Sequence, residues 1–224
     1  MQPEGLAFLQ GYGFHLLSVL ETENLPDDVS ELLRGMGAPL ERYAKLVLVG
    51  HAGPDFWRAF SQAKVDAPHP VDAFSTQIVR QFIDQFLDDS DYEWLYPSED
   101  YVIPLQRLAR AAHWGSPSPL GLDISPQYGL WFAHRAAFLS NAGLEERREP
   151  EAPSPCTNCT SRECISHCPA GAVTLENFAL QSCTNYRHSE ASACRANCLS
   201  RWHCPYAAKY RYSQEQMRYH YSFR

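Results

Sequence analysis

Cysteine is absent from the first 155 of the 224 residues, although the chain contains eight cysteines between Cys156 and Cys204. The sequence also lacks the run of about 18 to 20 apolar residues that a membrane-spanning helix requires. Its N-terminus, MQPEGLAFLQ, has neither the basic region nor the cleavage site of a secretory signal. These absences predict a cytoplasmic protein whose clustered thiols stay reduced and can bind metal.

Positive charge is sparse in the first part of the chain and more frequent in the last part. Residues 1–155 contain 22 acidic and 11 basic side chains, whereas residues 156–224 contain 4 and 8. A basic segment can bind nucleic acid, but it can equally balance thiolate-bound clusters or bind a ligand carboxylate or phosphate. Because the basic residues are scattered and form no run, the charge pattern does not favour a nucleic-acid partner.

Strand and helix patterns alternate over the first 150 residues. Runs rich in β-branched, leucine and aromatic residues predict strands at 14–20, 45–49, 92–95 and 128–140. Helical periodicity and capping signals predict helices at 3–10, 29–35, from 54 onward, 70–86 and 102–113. This alternation predicts an α+β domain in which helices bury a sheet. A charged, proline-containing connector at 141–155 places the domain boundary near residue 150.

The cysteines are ordered in two runs that each end in Cys-Pro. The first run is Cys156-x2-Cys159-x4-Cys164-x3-Cys168-Pro169, and the second is Cys183 followed by Cys194-x3-Cys198-x5-Cys204-Pro205. Ferredoxin-type segments that bind two 4Fe-4S clusters have such runs, and the fourth cysteine of a run binds the other cluster. By that cross-ligation, one cluster would bind Cys156, Cys159, Cys164 and Cys204. The other would bind Cys168, Cys183, Cys194 and Cys198.

Two other uses of eight cysteines stay open, namely two four-cysteine zinc sites and a disulfide framework. Zinc sites favour Cys-x2-Cys pairs, and one such pair is present, whereas the Cys-Pro endings favour iron–sulfur clusters. His167 and His203 directly precede Cys168 and Cys204. They either tune a cluster by hydrogen bonding or are plain loop residues.

Two stretches outside the cysteines carry a resemblance to a known family. Residues 125–137 read SPQYGLWFAHRAA, and residues 211–221 read RYSQEQMRYHY. They resemble the CblC-type cobalamin-processing proteins, whose motif reads His-Pro-x-Phe-Gly-Gly-Trp-Phe-Ala-x-Arg and whose late segment reads Arg-Tyr-Ser-x-Glu-Gln-x-x-Tyr. Ser125 stands where that motif begins with His, and Leu130 stands at its second Gly.

The order of the whole chain, an α/β domain before an eight-cysteine segment, is similar instead to epoxyqueuosine reductases and reductive dehalogenases. Those families are cobalamin enzymes with two iron–sulfur clusters. Together the resemblances imply a flavin-nitroreductase-like core over residues 1–150, with cobalamin or flavin held against its sheet. They also imply a ferredoxin-like two-cluster module with a C-terminal arm over residues 151–224.

Four residues of the first stretch are candidates for binding that cofactor, namely Tyr128, Gly129, Trp131 and Arg135. Aromatic faces stack on planar rings, and an arginine pairs with a carboxylate or phosphate. The alternative is that the side chains alternating from 128 to 134 form one face of a half-buried strand. No catalytic acid can be assigned.

The sequence therefore predicts an iron–sulfur redox protein of reductase or corrinoid-processing type. Electrons would pass from an external flavodoxin-, ferredoxin- or reductase-type donor to a cobalamin, flavin or small-molecule ligand in the first domain. In the alternative, the chain is an electron-transfer protein whose first domain docks a partner without catalysis. A third possibility is a nucleic-acid-binding protein whose fold is stabilised by zinc, and such a protein would contain zinc and no sulfide.

Overall fold

The computed structural model describes residues 3–87 and 91–222. Its helices are α1 (Pro3–Gly11), α2 (Asp27–Gly35), α3 (Asp55–Ala63), α4 (Pro70–Phe86), α5 (Leu105–Ala111), α6 (Glu163–Ser166), α7 (Leu180–His188), α8 (Leu199–His203) and α9 (Gln214–Ser222). Its strands are β1 (Leu16–Glu21), β2 (Lys45–Ala52), β3 (Tyr92–Tyr96), β4 (Ser116–Pro117), β5 (Asp123–Ile124) and β6 (Phe132–Ser140).

The described chain divides into two compact units. Unit 1 comprises the described residues of Met1–Trp114 and Phe132–Glu151, and unit 2 those of Gly115–Trp131 and Ala152–Arg224. This division differs from the predicted boundary at residue 150 because it assigns residues 115–131 to the cysteine-containing unit.

Unit 1 is built on a four-stranded antiparallel sheet with the order β1-β2-β6-β3. Most residues of β1, β2 and β6 are buried, so these strands read in the sequence as nearly continuous apolar runs. Helix α3 packs on β2, α4 packs on β6, and α1 packs on α4. The predicted mixture of helices and a helix-covered sheet is confirmed.

Two strand boundaries differ from the prediction. Strand β2 continues through Ala52, although a glycine had indicated its end after Val49. Strand β6 begins at Phe132 and not at residue 128, because Ser125 and Gly129 exchange two backbone hydrogen bonds of 2.8 and 2.9 Å and close a three-residue turn between them. The prediction that residues 128–131 belong to this strand was therefore wrong.

Strand β6 has an irregularity in its pairing with each neighbouring strand, β2 and β3. In β2 the register shifts between Val49 and Gly50, and in β3 it shifts between Trp94 and Tyr96. Bulges re-aim the neighbouring side chains, and they are frequent beside functional sites. Glycine is required at position 50, since a Cβ there would lie 2.6 Å from the ring of Trp114.

Unit 2 consists mainly of loops, short helices and the antiparallel pair β4–β5. Its apolar cluster contains Leu120, Ile124, Leu130, Val173 and Cys204. Several other cysteines pack against that cluster, among them Cys156, Cys164, Cys168 and Cys198. Thiols thus fill positions that aliphatic side chains fill in an ordinary core. None of the described helices combines the length and the apolar character that a membrane crossing requires.

Candidate functional site

Four of the cysteines lie close enough to act on one another's ionisation. The pKa of Cys164 is raised to about 11, mainly by burial and in part by the nearby Cys204, Cys156 and Cys159. Burial also raises the pKa of Cys156, with Cys204 and Cys159 adding to the effect. We call these four residues the first thiol set. The set joins three neighbouring cysteines of the first run with the last cysteine of the second.

The other four cysteines form the second thiol set. Burial raises the pKa of Cys183, and the nearby Cys198, Cys168 and Cys194 raise it further against the opposing effect of Arg187. All four thiols line one cavity of about 320 Å³ within unit 2. Its apolar wall is formed by Leu120, Leu122, Pro169, Val173, Phe178 and Leu180.

The two thiol sets can be compared with the three uses of the cysteines that the sequence left open, namely iron–sulfur clusters, zinc sites and disulfides. All eight cysteines are described, and none of them forms a disulfide in the structure. Within residues 3–87 and 91–222, no three Cys, His, Asp or Glu side chains are close enough to hold a single metal ion. A zinc ion binds each thiolate at about 2.3 Å and draws its ligands together. Two four-iron clusters require eight thiolates in two sets of four, and these cysteines provide that number and grouping.

Tyr221 contacts the second thiol set through its hydroxyl group. Tyr221 and Cys198 line the same cavity, and burial raises the pKa of Tyr221 to about 12, with the nearby Cys198 adding to the effect and Arg201 opposing it. Arg201 also donates from Nε and Nη2 to the Leu130 carbonyl, at 3.2 and 2.6 Å. Sequence reasoning missed this network because nothing in the RYSQEQMRYHY stretch distinguishes Tyr221 from its neighbouring tyrosines.

Trp131 is fully buried, and its ring contacts come from unit 2 itself. The guanidinium groups of Arg201 and Arg211 lie 5.0 and 5.8 Å from the indole. Tyr212 and Trp202 approach it at steep interplanar angles, 67° and 86°. Two cations and two aromatic rings therefore occupy surfaces that a stacked cofactor would need.

Two other cofactor-binding candidates, Tyr128 and Gly129, also make close contacts within unit 2. Gly129 has a φ of +61°, and a Cβ there would lie 2.8 Å from the Tyr206 carbonyl oxygen. Tyr128 packs edge to face on Tyr210, with ring centroids 4.9 Å apart. Glycine at 129 thus permits a close approach between two segments of unit 2.

Arg135, the fourth candidate, lies in unit 1. Its Nε donates to His51 Nδ1 at 2.9 Å, and its guanidinium stands 5.3 Å from the centroid of Phe56. The residue is only 8% exposed, and no salt bridge to it occurs in the part of the chain that the structure describes. Tyr96 lies within electrostatic range, since burial and Asp72 raise its pKa while Arg135 lowers it. A buried guanidinium without a carboxylate is suited to binding an anion.

His134, next in sequence to Arg135, is an uncharged imidazole at neutral pH. Its ring stacks on Trp114 at 5.8 Å and 9°, and its Nε2 has no hydrogen-bond partner among the described residues. Burial, with a smaller contribution from Arg135, lowers the pKa of His134 from 6.5 to about 4.

The depressed pKa of His134 predicts a loss of stability in acid. Between pH 6.5 and about 4 the unfolded chain binds a proton that the folded chain does not, so we expect the free energy of unfolding to fall by about 3 kcal/mol. His134→Phe keeps a flat ring on Trp114 and should lack this loss. Denaturant titrations across this pH range measure it, with the exposed His188→Phe as control. Equal pH slopes in wild type and His134→Phe would contradict the prediction.

Comparisons with known proteins bear on the fold. No family model and no curated protein matches the sequence. Among solved structures, epoxyqueuosine reductase from Streptococcus thermophilus superposes with a TM-score of 0.59 and 14% identity, over 91% of this chain and 65% of that one. An epoxyqueuosine reductase in complex with an epoxyqueuosine-modified tRNA-Tyr stem loop gives 0.56 and 12%, over 96% and 67%. The chain has an epoxyqueuosine reductase-like fold.

A further structure of epoxyqueuosine reductase, from Bacillus subtilis, matches with a TM-score of 0.51 and 15% identity, over 80% of this chain and 54% of that one. The predicted resemblance to epoxyqueuosine reductases is thus confirmed at the level of fold. The chain spans 65% of the Streptococcus thermophilus protein. The CblC-type resemblance, the nitroreductase-like core and the four cofactor-binding residues stay predictions.

Proposed function

We propose that this protein is an iron–sulfur oxidoreductase in which two 4Fe-4S clusters pass electrons from an external donor to a cobalamin or flavin ligand of the first domain. The division of the eight thiols into two sets of four carries the proposal. Cys204 joins the first set and Cys168 joins the second, so each run contributes its Cys-Pro cysteine to the other set. That exchange is the ligand pattern of two-cluster ferredoxin segments.

The roles of the chain's own residues follow from this assignment. The two thiol sets hold the clusters, which when bound store and conduct single electrons. The apolar wall around the second set limits access of water, and the Tyr221 hydroxyl is close enough to Cys198 to donate a hydrogen bond to its sulfur atom.

Arg135 supports the ligand half of the proposal. Flavin mononucleotide and cobalamin each carry a phosphate, and a buried guanidinium that lacks a carboxylate partner can bind one. We expect Arg135→Met to weaken binding of such a ligand about 10- to 100-fold, the value of a charge-assisted hydrogen bond. Titration of the protein with each ligand, followed by absorbance, measures this. The exposed Arg58→Met is the control, and equal affinities in wild type and Arg135→Met would remove Arg135 from the site.

The whole proposal is tested by anaerobic purification with iron, sulfide and zinc analysis, followed by spectra with and without cobalamin or flavin. We expect iron and sulfide for two clusters, charge-transfer absorption near roughly 400 nm and retention of one ligand. Clusters without ligand retention would instead support an electron-transfer protein whose first domain docks a partner. Zinc without sulfide would refute the redox function and favour the nucleic-acid binder.

A second candidate function is favoured by the complex of one structural neighbour with an epoxyqueuosine-modified tRNA stem loop. In this candidate the electrons reduce a modified nucleoside in RNA, although the scattered basic residues did not favour a nucleic-acid partner. Fluorescence anisotropy with a labelled modified stem loop decides between the candidates. Binding that exceeds that of an unmodified loop at the same salt concentration supports the second, and equal weak binding to both loops opposes it.

The Tyr221 hydroxyl, which lies beside Cys198, predicts a change in reduction potential under the proposed function. Hydrogen bonds to cluster sulfur stabilise the more negative, reduced state, so Tyr221→Phe should lower the potential of the second-set cluster. One hydrogen bond contributes about 0.5–1.5 kcal/mol, which corresponds to about 20–60 mV for one electron. An EPR-monitored redox titration measures it, and Tyr219→Phe is the matched control. An unchanged potential in Tyr221→Phe would show that the hydroxyl does not tune the cluster.

A further inference from the structure

Two histidines of unit 2 form a stacked pair. The rings of His167 and His203 lie with centroids 3.8 Å apart and planes inclined by only 13°. Each is the first residue of an identical tripeptide, His-Cys-Pro, although 36 positions separate them. This pairing was not evident in the sequence, where both residues could be read as ordinary loop histidines.

The two tripeptides lie at the ends of short helices and have the same type of backbone hydrogen bond there. Helix α6 ends at Ser166, directly before His167, whereas His203 is the last residue of α8, and the two helices pack on each other. The amide of Cys168 donates to the Ile165 carbonyl at 3.1 Å, and that of Cys204 donates to the Arg201 carbonyl at 3.3 Å. The stack therefore joins two turns that are closed by the same type of backbone hydrogen bond.

The cysteines that follow the histidines belong to different thiol sets. Cys168 lies with the second set and Cys204 with the first. A contact between the two rings thus links the ligands of one set to those of the other. The ring of His167 is further held by Glu163, whose Oε2 and carbonyl oxygen lie 3.0 and 3.1 Å from Nδ1.

Burial does not explain the pair. The side chain of His167 is 39% exposed, and His203 is also exposed. Aromatic rings stacked at the surface bury little apolar area, and a near-parallel stack is geometrically restrictive. Movement of one Cys-Pro turn relative to the other would break the contact, so the stack fixes the separation of the turns.

We propose that His167 and His203 are positioning residues that fix the distance between the two iron–sulfur clusters and so set the rate of electron exchange between them. This inference rests on the two-cluster assignment of the proposed function. The exchange moves one electron, so one cluster is oxidised as the other is reduced, and no bond or proton changes. The electron is supplied by a one-electron donor, which is dithionite in the experiment below.

The test compares His203→Leu, which has similar bulk without a flat face, with His203→Phe, which keeps a flat ring. The exposed His188→Leu is the control for loss of a surface histidine. Each full-length protein is purified anaerobically, assayed for iron and sulfide, and fully reduced with dithionite for EPR. Two reduced clusters at a fixed short distance broaden each other's spectra by magnetic interaction.

We expect the interaction broadening in wild type, His203→Phe and His188→Leu, and its loss in His203→Leu with iron and sulfide unchanged. Equal broadening in His203→Leu and His203→Phe overturns the positioning role while the two-cluster function stands. Iron and sulfide for fewer than two clusters in wild type overturns both. If His203→Leu loses iron, His167→Leu and His167→Phe provide the same comparison at the other ring, and equal broadening in that pair also refutes the proposal.

Discussion

Cys204→Ala should remove one entire cluster and leave the other in place, so that the iron and sulfide content falls by half. A cluster with three thiolates and an alanine has lost a quarter of its protein ligands and is open to solvent at the vacant iron. The variant is informative because Cys204 lies 40 positions beyond Cys164 in the sequence but acts on the same thiols in the structure. The loss should therefore affect the cluster of the first thiol set.

The identity of the lost cluster distinguishes cross-ligation from ligation within each run. Cys156→Ala and Cys204→Ala should abolish the same EPR signal, while Cys168→Ala and Cys183→Ala should abolish the other. Ligation by sequence neighbours predicts the opposite grouping, with Cys204 sharing a signal with Cys183. That grouping would contradict the assignment of the thiol sets and would also remove the basis for the role of the histidine pair.

The sequence predicted the sheet and helices of unit 1 because local patterns determine them. Strand β2 is an unbroken apolar run, and α4 repeats apolar residues at helical spacing. The start of β6 could not be predicted, since the aromatic residues at 128–131 look like a strand but Gly129 closes a turn. Turn formation there depends on the contact of Gly129 with Tyr206, which lies 77 positions away.

The placement of residues 115–131 in unit 2 has a similar cause. Leu120, Ile124 and Leu130 carry no signal that assigns them to either unit, because any buried position accepts such residues. Their partner Val173 belongs to the cysteine segment, and only this long-range packing determines their place. The cysteines themselves were easier to interpret, since metal chemistry restricts both residue type and spacing. Arg135 was predicted as a site residue, but its contact with His51 was not, because β2 and β6 meet only in the folded sheet.

Trp131→Ala should destabilise the protein by about 3–5 kcal/mol, the usual cost of deleting a buried tryptophan or phenylalanine ring. The indole is fully buried in a cluster with Tyr212 and Met217, and two arginines lie against it. Its removal would leave a cavity, and each of the two guanidinium groups would lose one of its two aromatic contacts. Denaturant unfolding followed by far-ultraviolet circular dichroism, in wild type and variant loaded equally with iron, measures the loss.

The same variant separates the structural role of Trp131 from the predicted cofactor-binding role. Trp131→Phe keeps an aromatic face for Arg201 and should recover more than half of the lost stability. If the ring instead stacks on cobalamin or flavin, Trp131→Ala would unfold close to the wild-type denaturant concentration and lose ligand affinity. The packing of Trp131 within unit 2 favours the first result, in which stability falls and any ligand affinity measured below the unfolding transition is retained. The residue proposed to bind the ligand phosphate is Arg135, which lies in the sheet of unit 1.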